Sequence, residues 1–221
     1  MSKDLSREIQ RLEDVENISN LMSLNTYLLL FGRSLELQNS WAKQRADVSF
    51  VAEDFGYFDG PEGLKKFYGL GGKPGWEYAH LVTNPLIEVA ADGRSAQGLF
   101  VSPGFITAAA RASWCYRLYG ANFVKEDGKW KFLRLHMYSG FHTLYNKSWV
   151  QSSLERGGEK VSALANFYND RSPLEKVIDR TVPALEDESF SLNTPPKLLP
   201  LPQSYSSFED ITPYVALPGK K

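Results

Sequence analysis

Apolar residues recur every three or four positions at Leu5, Ile9, Leu12, Val15, Ile18, Leu21, Leu24 and Leu28, the spacing of one face of an α-helix. The pattern predicts one long amphipathic helix reaching about Phe31. Gly32 ends or bends it, and Ser34 then caps a second helix through Lys43 that carries Leu35, Leu37 and Trp41. Alternation replaces the helical period further on. Val48 to Val51 and Phe55 to Phe58 read as short strands, and Asp59-Gly60-Pro61 stops the second and starts a short helix through Tyr68. His80 to Ala90 and Ser95 to Ser102 form a hairpin around Ala91-Asp92-Gly93-Arg94, with Pro85 marking an edge or a bulge. Ser102-Pro103-Gly104 breaks its second strand.

The strongest pattern runs from Arg111 to Gly140, where two runs of aromatic and β-branched residues flank Asp127-Gly128, a pair that favours a tight hairpin turn. A two-residue turn places Glu126 opposite Lys129, Tyr119 opposite His136 and Arg117 opposite Tyr138. Arg117, Tyr119, Arg134, His136 and Tyr138 then share one face, and Trp114, Tyr116, Leu118, Leu133, Leu135 and Met137 the other. Such a sheet needs cover on both sides, helices on one and a pocket or partner on the other.

Composition narrows the classes. A chain of 221 residues with net charge -1 fits one well-cored domain with an extension, and lacks the clustered Lys and Arg of a nucleic-acid footprint. Cys115 is the only cysteine, which leaves no disulfide framework and no cysteine metal site; it reads as core packing. The charged first residues and the absence of a long apolar run predict no membrane span and a cytoplasmic location. The expected division is a domain over 1–149 and an extension over 150–221. The proline-rich tail from Pro195 keeps Leu198, Leu199, Leu201, Tyr205, Phe208 and Tyr214, too apolar for a solvated linker, so it is expected to lie as an arm on the domain or on a neighbouring subunit.

Helices followed by long antiparallel strands predict an α+β cone, a half barrel of curved antiparallel sheet wrapped around N-terminal helices, with an extended C-terminal arm. Here the chain resembles the SnoaL-like, scytalone-dehydratase-like branch of the nuclear transport factor 2-like superfamily. The likeness rests on DVSFVAEDFGYFDGPEGLKKFY, HLVTNPLIEVAADGRSAQGLFVSPG and YGANFVKEDGKWKFLRLHMY, and spans about residues 5 to 145. It implies a homodimer or homotrimer. It also implies a tyrosine late in the first helix, at Tyr27, facing a histidine at the start of a central strand, at His80. The carboxylate that usually follows this tyrosine is missing, since no aspartate occurs between Asp14 and Asp47.

The chemistry implied is cofactor-independent lyase, dehydratase or isomerase action on a hydrophobic, aromatic or polycyclic hydroxylated small molecule, by dehydration or carbon-carbon cleavage such as formaldehyde loss. A polyketide-type cyclase and a non-catalytic binding or assembly module are the alternatives. His80 is the candidate general acid/base, because histidine titrates near neutrality, Tyr27 the hydroxyl donor to a developing oxyanion, and His136 an assistant. Trp41, Asn84, Tyr116, Asn122 and Tyr138 are candidate substrate contacts. With no short ligand motif and no dinucleotide fingerprint, neither a metal nor a cofactor is expected.

Overall fold

The helical period at the start of the chain becomes α1, Lys3–Leu30. Gly32 ends it at φ 70, with Gly32 N–H donating to Leu29 O and Arg33 N–H to Leu28 O, the paired bonds that satisfy the last carbonyls of a helix. The computed structural model describes residues 3–53, 56–69, 77–108, 111–150, 199–211 and 214. The glycine-rich run after Gly69, Trp76 and a helix expected around Ser172 to Asp179 lie outside them. Ser34 does not cap an α-helix: Ser34–Ser40 is a 3-10 helix, and the Ser34 hydroxyl donates instead to Tyr68 O at 2.8 Å. That carbonyl belongs to α2, Gly60–Tyr68.

Among the described residues seven strands form one mixed sheet: β1 (Ser49–Ala52), β2 (Gly56–Asp59), β3 (Glu77–His80), β4 (Thr83–Val89), β5 (Ser95–Ala108), β6 (Arg111–Glu126) and β7 (Lys129–Leu144). The order across the sheet is β2-β1-β7-β6-β5-β3, with β4 sharing the edge of β5 beside β3. Two expectations fail at that edge. His80 closes β3 rather than opening the next strand, and β5 runs through Pro103 instead of breaking there. Pro103 is tolerated because it falls in the gap between the two edge partners: Val101 pairs with Thr83 of β4 and Gly104 with His80 of β3. No ladder bond there asks for the missing N–H, while the Pro103 carbonyl accepts from Leu81 N–H at 3.0 Å.

The β6–β7 turn forms as the sequence predicts, with Asp127 at φ 48 and Gly128 at φ 72 and Glu126 opposite Lys129. The register beyond it does not hold. Phe123 pairs with Phe132 but Asn122 with Arg134, so Leu133 is an extra residue; Arg117 pairs with Ser139 but Tyr116 with Phe141, so Gly140 is another. Each bulge shifts β7 by one place, and a one-place shift turns every following side chain over. Tyr119 therefore faces Met137, and His136 faces Gly120. The face expected to hold Arg117 and Tyr119 beside Arg134, His136 and Tyr138 is split between the two sides of the sheet.

The concave side carries the core. Phe100, Tyr119, Ala121, Phe123, Phe132, Leu135 and Met137 of the sheet form one cluster with Ile18, Met22 and Leu28 of α1, Leu37, Trp41 and α2. Asp14 anchors α1 to the turn end of the hairpin, accepting from Lys125 Nζ at 2.6 Å and from Trp130 Nε1 at 2.9 Å. The convex side is covered by the arm. Gln97 Nε2 donates to Gln203 O at 2.9 Å, Ala91 N–H to Tyr205 O at 3.0 Å, and Tyr205 OH to Ser95 Oγ at 3.1 Å. Among the described residues no helix is long and apolar enough to cross a membrane.

Candidate active site on the concave face

Beyond the apolar core the concave face turns polar, in three cross-strand rows. Because side chains of one face repeat every second residue, the rows follow from pairing. Ser102, Arg117 and Ser139 make the first. His80, Gly104, Cys115 and His142 make the second. Ile106, Ser113 and Leu144 make the third. These polar groups are withdrawn from water: His80 is 7%, Arg117 1% and Ser102 0% exposed.

Gly104 explains how His80 reaches the middle of its row. A Cβ there would lie 3.1 Å from His80 Nδ1 and 2.4 Å from Ala79 O, so only glycine leaves room for the ring to lean across β5. His80 Nδ1 arrives 3.9 Å from Cys115 Sγ, a weak sulfur hydrogen bond. On the far side of the row His142 Nε2 is 2.6 Å from Ser113 Oγ. Arg117 Nη1 donates to Ser139 Oγ at 2.8 Å. The Ser102 hydroxyl, paired across the strands with Arg117, has no hydrogen-bond partner among the described residues. A buried hydroxyl left unsatisfied costs about 1–3 kcal/mol, a cost that a bound polar group would remove.

Tyr119 stands next to Arg117 on the same face of β6 and belongs to the aromatic core that includes Tyr68 and Trp41. Trp41 Nε1 donates to Tyr68 OH at 2.8 Å, and Tyr119 OH donates to Met137 Sδ at 3.4 Å. Burial pushes the hydroxyls of Tyr68 and Tyr119 well above the ordinary tyrosine value, so both stay protonated donors across the physiological range. From α1, Asn25 faces the same interior between Met22 and Leu28; it is 4% exposed.

The expected site residues divide. His80 and Trp41 are on the concave side. Tyr27 is not buried there: the residue is 57% exposed and its ring stacks on Phe31 at 5.8 Å. It lies two residues, about 200° around the helix, from inward-facing Asn25. His136, Tyr138 and Asn122 lie on the convex side under the arm, because the bulge at Leu133 turns the two β7 residues over. Their polar atoms meet Tyr214: His136 Nδ1 is 2.8 Å from Tyr214 O, Tyr138 OH donates to the same oxygen at 3.0 Å, and Tyr214 N–H donates to Asn122 Oδ1 at 3.2 Å. Tyr116 is convex too, stacked on Phe141 at 5.8 Å. Asn84 sits exposed at φ 48 where β4 slips against β5 between Thr83 and Leu86, the irregularity that Pro85 predicts.

Sequence reasoning missed His142, Ser113, Ser102 and Asn25, and took Cys115 for packing. The alternation Ser113, Cys115, Arg117, Tyr119 was visible as a polar stripe on one strand face. His142 was not, since its side of the sheet depends on both bulges. Among the described residues no three His, Cys, Asp or Glu side chains gather as a metal-binding set.

Solved structures share this architecture. A candidate scytalone dehydratase from Novosphingobium aromaticivorans superposes with a TM-score of 0.57 at 20% identity, over 64% of this chain and 93% of its own. The hexachlorocyclohexane dehydrochlorinase LinA-type3 from Novosphingobium barchaimii gives 0.55 at 20% identity, over 64% and 96%. A single-residue variant of Rv3472 from Mycobacterium tuberculosis, a protein of unknown function, gives 0.52 at 18% identity, over 82% and 95%. No curated protein matches the sequence. At such identities the likeness fixes the fold, the α+β cone of nuclear transport factor 2-like proteins. The SnoaL-like domain matches residues 10–136, more than half of the chain, and the protein belongs to that family.

Proposed function

We propose that the protein is a cofactor-independent lyase, dehydratase or isomerase acting on a hydrophobic, hydroxylated aromatic or polycyclic small molecule at the concave face. The observation that carries this reading is the His80–Cys115–His142 row, which holds a buried imidazole, with Arg117 and Ser102 in the adjoining row and Tyr119 beyond them. His80 serves as the general base or acid that moves a proton next to a carbonyl or ring, as histidine does near neutral pH. Arg117 and the unsatisfied Ser102 hydroxyl supply donors for charge developing on oxygen, the task first assigned to Tyr27. Through Tyr119 the apolar core comes up against these few polar points, the composition of small-molecule sites. The named dehydratase and dehydrochlorinase structures support the class of chemistry by analogy of fold.

The test is a panel of hydroxylated aromatic and polycyclic compounds incubated in deuterated water, read by mass spectrometry for loss of water or formaldehyde and for deuterium uptake. Turnover is expected to fall at least ~100-fold in His80→Gln, the scale of a lost general base, and severalfold in Ser102→Ala. Tyr27→Phe is expected to stay near wild type. Folded His80→Gln protein with full turnover defeats the reading, and loss of turnover in Tyr27→Phe returns the donor role to that tyrosine.

A further inference from the structure

On the convex face, away from the proposed chemistry, four residues surround a single residue of the arm. His136 Nδ1 and Tyr138 OH both approach the Tyr214 carbonyl, at 2.8 and 3.0 Å. A carbonyl oxygen only accepts, so Nδ1 carries a proton and both groups donate. The Tyr214 N–H is taken by Asn122 Oδ1 at 3.2 Å. Both backbone polar groups of one residue are thus matched by side chains rather than by a strand ladder. The His136 and Tyr138 rings stack with centroids 3.7 Å apart and planes 13° from parallel, which fixes the two donors relative to each other.

The fourth residue is an absence of side chain. A Cβ on Gly120 would sit 2.7 Å from Cδ1 and Cγ of the Tyr214 ring and 3.0 Å from its Cβ. Gly120 pairs with Leu99 on one side and His136 on the other, so it forms a recess in the middle of the sheet that the aromatic ring fills. The ring's hydroxyl is closed off by Pro200 O at 3.2 Å, within the same arm.

We propose that Gly120, Asn122, His136 and Tyr138 form a peptide-recognition socket whose ligand is an aromatic residue of a peptide segment, namely Tyr214 in the C-terminal segment of this chain. Backbone recognition gives affinity, and the recess selects an aromatic side chain. It is the division of labour of extended-peptide sites. In the isolated chain the socket is filled from within, and the same segment supplied from another molecule fits it equally.

The probe is a fluorescein-labelled peptide with the sequence of residues 199–214, titrated against the full-length protein and followed by fluorescence anisotropy. Saturable binding is expected to full-length Tyr214→Ala, whose socket is vacated, with at least tenfold weaker binding to wild type. Adding Gly120→Ala to that variant abolishes binding, as does replacing the last tyrosine of the peptide by alanine. Equal binding to wild type and Tyr214→Ala, no binding to Tyr214→Ala, or indifference to the peptide's terminal tyrosine overturns the proposal. Hydrogen exchange of the wild-type chain is independent of any variant's folding. The segment containing Tyr214 exchanges slowly if its N–H is held by Asn122, and free exchange there overturns the socket as well.

Discussion

Gly104 pairs with His80 where β5 meets the end of β3, and its missing side chain decides where the imidazole can stand. A methyl group at Gly104 would meet Ala79 O at 2.4 Å and His80 Nδ1 at 3.1 Å. Since the first of these is backbone, the strands must part. Gly104→Ala is expected to cost about 1–3 kcal/mol, the range for forcing atoms into a packed interior. In a thermal melt that is a fall of a few degrees, since ~1 kcal/mol shifts a domain of this size by about 2–4 °C. Turnover on any substrate found should fall further than stability alone explains, because the same methyl displaces the ring from Cys115. A melt unchanged from wild type would mean that the edge of the sheet yields without cost.

At the scale of elements, α1 is held near its middle by Asp14, a buried carboxylate that accepts from Lys125 and Trp130 at the turn end of the β6–β7 hairpin. Asp14→Ala leaves the Trp130 N–H without this acceptor inside the protein and Lys125 without its counter-charge. A loss of about 1–3 kcal/mol is expected in urea unfolding, the penalty for stranding buried donors. A change below ~0.5 kcal/mol would show that water reaches both groups. The elements themselves were largely legible: the helical period of α1, the Asp127-Gly128 turn and the hairpin at Gly93 are local signals carried by a few residues each. Strand β5 was misread because Pro103 is a breaker unless its neighbours happen to need no N–H, which depends on where β3 and β4 end. Of the residues expected at the site, only His80 and Trp41 face the concave side, and Arg117 was legible in part as a member of a sheet face. Which side His136 and His142 face depends on bulges at Leu133 and Gly140, which arise from the pairing of whole strands and leave no pattern in either run alone.

For the whole molecule, the convex side depends on charge as well as on the arm. Asp47 joins Arg45 and Arg134, both through its carboxylate. The hydrogen bond from Arg45 holds the Asp47 carboxyl below the usual value near 3.8. The guanidinium of Arg134 is shifted down chiefly by its own burial, with Asp47 acting the other way, so its direction reports desolvation rather than a failed pair. A carboxyl depressed in the folded state stabilises the fold above its unfolded value and loses that contribution as pH falls through the folded one. Stability should therefore decline as pH drops below about 4, and Asp47→Asn, less stable at neutral pH, should show a shallower decline when melting is followed from about pH 6 to about pH 3. Parallel acid profiles would remove Asp47 from the account.

The paired bulges also govern how roles pass between relatives. Residues Arg134 to Ser139 stand in opposite phase to the strand on either side of them, so His136 looks outward while His142, further along the same strand, looks in. A related chain lacking one bulge keeps every letter in its column of an alignment yet presents the opposite side chains to substrate. Inherited function in this hairpin is therefore carried by phase, and a histidine in the same column is the same histidine only where both extra residues are present.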